Sequence, residues 1–70
     1  MLYPRIKDLR EDADLKQKQV AEILHVHEIT YLRYETGQRE IPFDLAIALA
    51  KYYRVSLDYL AGLTNHRNIN

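Results

Sequence analysis

Residues 17–36, QKQVAEILHVHEITYLRYET, decide the fold of this 70-residue chain. Apolar side chains recur here at helical rather than alternating spacing. Val20, Ala21 and Leu24 form one inward face of a helix over about 16–24. After His25 and Val26, Tyr31 and Tyr34 form the inward face of a second helix over about 27–35. Thr36-Gly37-Gln38 stops that pattern, with Gly37 suited to the left-handed conformation in which helices often end. Two short helices joined by a tight turn follow from this pattern.

The flanking sequence continues in the same manner. Pro4 suits a first helical position, where its missing N–H loses nothing, and a helix over about 4–13 places Ile6, Leu9 and Ala13 on one stripe. Pro42 opens a fourth helix to about Tyr53, with Phe43, Ala46, Ile47, Leu49, Ala50 and Tyr53 as its apolar positions. Ser56 is a good N-cap for a short fifth helix over 57–61, with Asp58 complementing its dipole and Gly62 ending it. The chain therefore reads as a compact all-α domain of five helices over residues 1–63, followed by a polar tail, 64–70, expected to fray.

Composition narrows the function classes. There is no cysteine, which excludes a disulfide frame and a thiolate zinc site. No apolar run approaches the roughly 20 residues of a membrane span, and the N-terminus does not read as a signal peptide, so a cytoplasmic protein is expected. Catalysis is not expected either: there is no glycine-rich phosphate loop, a single serine, and no carboxylate pair at a meaningful spacing. No cofactor or small-molecule substrate is implied. His25 and His27, two residues apart, do not share a helix face, and His66 lies in the tail, so metal binding is not expected.

Ten Lys and Arg balance ten Asp and Glu, so the net charge withholds the simplest argument for a nucleic-acid partner. Placement is more informative. Lys16 and Lys18 stand at the start of the second helix, where positive charge opposes the dipole and neither side chain can cap. Such a broken local rule makes sense if a phosphate sits there. With Arg33 and Arg39 they can form a basic rim, while Asp8, Glu11, Asp12, Asp14, Asp44 and Asp58 lie in other segments.

The helix pair has the spacing of a DNA-binding helix-turn-helix at about 17–36. Arg5-Ile6-Lys7-Asp8-Leu9-Arg10, Gln17-Lys18-Gln19-Val20-Ala21, Thr30 to Arg39 and Val55-Ser56-Leu57-Asp58-Tyr59-Leu60, taken in order, resemble the phage-repressor (Cro/CI-type) helix-turn-helix family over about residues 4–63. The resemblance implies a repressor-like domain. It makes Gln17 and Arg39 phosphate contacts, beside Lys16 and Lys18. It makes Arg10 and Glu35 an internal ion pair, and puts Glu28, Ile29, Leu32 and Arg33 on the base-reading surface.

Several residues depart from the family pattern. Glu28 repels phosphate unless it accepts from a cytosine amino group, and Ile29 and Leu32 offer only apolar contact, for example with thymine methyl groups. Arg33 suits guanine, a phosphate or an intraprotein contact. His25 and Arg54 replace two helix-ending glycines, and His27 replaces the usual Ser or Thr cap of the recognition helix, which it should cap poorly. Tyr31, Tyr34 and Tyr59 read as core or half-buried rings; of the adjacent Tyr52 and Tyr53, at least one must face outward.

Two functions remain open at this stage. One is a sequence-specific regulator of transcription that binds double-stranded DNA as a homodimer, with Leu57, Leu60 and Leu63 as the candidate dimer surface. The other is a protein-interaction module on the same fold, such as an antitoxin, antirepressor or adaptor, using Glu28, Ile29 and Leu32 against a protein partner.

Overall fold

The computed structural model describes residues 3–67. Five helices follow in chain order: α1 (Ile6–Asp12), α2 (Gln17–Leu24), α3 (Glu28–Thr36), α4 (Phe43–Tyr53) and α5 (Leu57–Leu60). The fold is all-α. Among the described residues, no helix is long and apolar enough to cross a membrane.

One hydrophobic core joins all five. It takes Ile6 and Leu9 from α1, Val20, Ala21 and Leu24 from α2, Tyr31 and Tyr34 from α3, Ala46, Leu49 and Ala50 from α4, and Leu60 from α5. Ile41 and Val55, both outside helices, complete it. α3 packs across α2, and α4 packs against both α2 and α5, so the helix pair rests on a support assembled from the rest of the chain.

Two residues expected in the core are exposed. Ala13 leaves the α1 stripe because the helix stops at Asp12 and the chain turns left-handed at Asp14, with φ of 56°. Phe43, 64% exposed, is the first residue of α4 and overhangs the edge of the core. It joins Tyr3, Leu57, Ala61 and Leu63 around a groove of about 290 Å³. Leu60, by contrast, is fully buried and cannot belong to a free dimer surface.

Four of the five helix ends share one construction. Asp14, His25, Arg54 and Gly62 all have positive φ. At each, the following N–H reaches back to a carbonyl five residues earlier: Leu15 to Arg10, Val26 to Ala21, Val55 to Ala50 and Leu63 to Asp58, at 2.9–3.0 Å. This paired closure satisfies carbonyls that a helix end leaves open, and it places an apolar residue just past the turn. Val55 uses that position to enter the core, and Leu15 and Val26 pack against it. At Gly62 a side chain would also crowd the neighbouring chain, since a Cβ would lie 3.2 Å from Pro4 Cγ.

Residues 64–67, expected to fray, make specific contacts. Arg5 lies over the Tyr59 ring, 4.0 Å from its centroid, and donates to the Thr64 carbonyl at 2.9 Å and to Asn65 Oδ1 at 2.7 Å. The Arg67 carbonyl accepts from the Ser56 N–H at 2.9 Å. Asn68–Asn70 lie outside the described residues.

Candidate nucleic-acid interface

A buried polar hub fixes how α2 and α3 meet. The Arg10 guanidinium donates through Nε to Glu35 Oε2 at 2.6 Å and through Nη2 to Glu35 Oε1 at 3.2 Å. Its third nitrogen, Nη1, donates to the Leu15 carbonyl at 2.9 Å. Gln17 Nε2 donates to Glu35 Oε1 at 3.1 Å. The Glu35 side chain is only 2% exposed and that of Arg10 only 12%. One carboxylate thus ties α1, the first residue of α2 and the last turn of α3 together.

Ionisation follows from this geometry. Burial by itself would raise the Glu35 carboxyl; the hydrogen bonds from Arg10 and Gln17 outweigh it and hold the group below its ordinary range. The hydrogen bond to Glu35 in turn raises Arg10. Burial, then the neighbouring Glu35, pushes the Tyr31 hydroxyl far up. Burial, then Tyr52, pushes Tyr53 up to about 12. Both hydroxyl oxygens are buried, and neither has a hydrogen-bond partner among the described residues.

On α3 the buried tyrosines turn the opposite face outward. Glu28, Ile29 and Arg33 are exposed, and Ile29 shows 54% of its surface. Thr30 and Leu32 are half-buried. Leu32 is thus less available to a partner than its predicted position implies.

At the start of α2, Lys16 and Lys18 are exposed and Gln17 is half-buried against Glu35. Lys16 does not cap with its own side chain; instead Gln19 Oε1 accepts from its N–H at 2.8 Å. The Gln17–Glu35 bond brings this helix start to the end of α3, where the chain continues through Gly37 to the exposed Arg39. Lys16, Gln17 and Lys18 therefore start α2 beside the last turn of α3, and Arg39 follows three residues after that helix ends. Glu28 and Ile29 occupy the opposite end of α3, about 10 Å away along its axis by the rise per residue.

The turn between α2 and α3 uses His25 in the left-handed conformation, with φ of 59° and ψ of 40°. His27 is the N-cap of α3 and makes no capping hydrogen bond, as its residue type implied.

This geometry has known counterparts. The protein-family model HTH_3, helix-turn-helix, matches residues 6–60. The chain belongs to the helix-turn-helix family. It is 35% identical over 65 residues to YobD of Bacillus subtilis (strain 168), an HTH-type transcriptional regulator; the match covers 93% of this chain and 58% of that protein. It is 39% identical over 57 residues to RstR of Vibrio cholerae, described as a cryptic phage CTXphi transcriptional repressor, covering 81% of this chain and 51% of RstR. A crystal structure of a transcriptional regulator from Listeria innocua superposes with a TM-score of 0.79 at 29% identity, covering 93% of this chain and 61% of that one. The chain thus spans between half and two thirds of the length of these proteins.

Within the helix-turn-helix frame, the Arg10–Glu35 pair is the support beneath the two helices. Gln17 was expected at a phosphate; its bond to Glu35 was not legible, because nothing in a sequence pairs residues 18 positions apart. His27 was read only as a poor cap.

Proposed function

We propose that this domain is a sequence-specific binder of double-stranded DNA that regulates transcription and acts as a homodimer. The observation that carries the reading is the division of α3: Tyr31 and Tyr34 are locked into the core while Glu28, Ile29 and Arg33 face outward. Such a helix, braced by α2, is shaped to enter the major groove. Glu28, Ile29, Arg33 and, to a lesser extent, the half-buried Leu32 would meet base edges. Lys16, Gln17, Lys18 and Arg39 would fix the register on phosphates. Glu35 takes one of the two Nε2 hydrogens of Gln17 and leaves the other for a phosphate oxygen.

The protein-partner reading of Glu28, Ile29 and Leu32 is weaker than the sequence implied, since half-burial of Leu32 leaves Ile29 as the main exposed apolar contact. The exposed apolar surface suited to a second copy lies elsewhere, at Phe43 and Leu63 beside the half-buried Leu57.

Selection of sites from random duplex DNA, followed by titration at several salt concentrations, tests the proposal. Three cationic phosphate contacts predict a slope of log affinity on log salt of about −3 per monomer. A dyad with half-sites about 34 Å apart is expected. Failure to select any duplex, or a flat salt response, would sink it.

A further inference from the structure

The start of α3 holds two polar side chains that no other described residue engages, although Glu28 complements the helix dipole there. His27 and Glu28 are consecutive, both are exposed, and neither side chain has a hydrogen-bond or ion-pair partner among the described residues. His27 departs from the capping rule without a local gain. Glu28 puts a negative charge on the face that must approach an anionic duplex. The geometry points to a shared role: His27 and Glu28 together read a single G·C base pair, with the imidazole on guanine and the carboxylate on cytosine. The inference rests on the DNA-binding reading above and adds His27 to its base contacts.

The chemistry selects this pair. In a helix-turn-helix, it is the N-terminal residues of the second helix that reach base edges. Glu28 can only accept when ionised, so it needs a base donor. Adenine N6 and cytosine N4 both donate in the major groove, but adenine sets its acceptor N7 beside the amino group, where it repels the second carboxylate oxygen. Cytosine presents its amino group without such a neighbour. The partner of that cytosine is guanine, whose O6 and N7 are both acceptors and match an imidazole N–H. His27 and Glu28 are consecutive, with Cα atoms about 3.8 Å apart, so both side chains start from one narrow stretch of groove and can reach the two bases of one pair. A donor and an acceptor side by side also keep this stretch of the reading face from carrying an uncompensated acceptor.

The test is selection from random duplex DNA with the wild-type chain and with His27→Ala, His27→Asn, Glu28→Ala and Glu28→Gln. The wild type should select a G·C pair in each half-site, and Glu28→Ala should weaken that preference without abolishing it, since His27 still contacts the guanine. Glu28→Gln should shift the cytosine preference toward adenine, which glutamine contacts with two hydrogen bonds. His27→Ala should reduce discrimination at that same pair by about tenfold, while preferences at other positions persist. His27→Asn, a better cap, maintains the fold if the alanine variant is unstable and should lose the guanine preference equally. The inference is overturned if the wild type selects sites but the His27 variants leave every position unchanged, or if Glu28 maps to an A·T pair. Selection of no duplex at all by the wild type overturns the DNA-binding reading itself.

Discussion

Glu35 holds three segments with one carboxylate, so losses at this residue should exceed those at any surface charge. Arg10→Met leaves a nearly buried carboxylate without its ion-pair partner, and chemical denaturation should show a loss of about 3–5 kcal/mol. Arg10→Met with Glu35→Leu removes both charges and should recover much of that loss, because two matched apolar groups replace the pair. The same residue sets the acid response. Its carboxyl is held below the ordinary range in the fold, so its contribution is full above the unfolded value near ~4.3 and disappears as pH falls through the lower folded value. Melting curves below about pH 4 should therefore fall more steeply for the wild type than for Glu35→Gln. Gln17 donates to that carboxylate, so Gln17→Ala should cost about 1.5 kcal/mol of stability and also weaken all DNA sites about equally. An undiminished affinity in a folded Gln17→Ala protein would reduce Gln17 to a structural role.

At the scale of elements, the helix ends are where this sequence carries its strain. His25 and Arg54 occupy left-handed backbone that glycine adopts freely, and Asp14 does the same after α1. Replacing His25 or Arg54 with glycine should each raise stability by about 0.5–1 kcal/mol, or roughly 3–6 °C in melting temperature, without moving a core residue. A destabilised Arg54→Gly protein would show that the side chain does more than tolerate its conformation. These ends also mark how far local pattern carries. The helices themselves were legible because periodic apolar spacing and Pro, Ser and Gly signals act within a few residues. The left-handed turns at His25 and Arg54 were reached through the family pattern, whereas Asp14 gave no warning, and α1 was drawn too long at both ends, from Pro4 through Ala13, where the helix runs from Ile6 to Asp12. Phe43 fits the α4 stripe by spacing yet hangs beyond the core, because periodicity sets a direction and not whether anything lies opposite. Contacts between distant residues were the least legible. The Arg10–Glu35 pair came only from the resemblance, and the Arg5 contacts with Thr64 and Asn65, 59 and 60 residues away, left no trace in the sequence.

For the whole molecule, the decisive quantity is how many recognition helices act together. One α3 offers few polar contacts to base edges, and the neutral net charge adds little general attraction to DNA. In the proposed dimer, affinity comes from linking two half-sites, which raises the effective concentration of the second helix by orders of magnitude. The surface best suited to that link is the edge where Phe43 and Leu63, 64% and 69% exposed, flank the groove lined by Leu57 and Ala61. Neither exposed side chain supports the core, so Phe43→Lys and Leu63→Glu should fold normally. If the edge joins two copies, sedimentation should show either variant as a monomer under conditions where the wild type dimerises. Its affinity for a duplex with both half-sites should fall on the order of a hundredfold, while affinity for a single half-site stays unchanged. Equal losses on both duplexes would instead mean that these side chains touch DNA directly, and a variant that still dimerises would move the interface to another face.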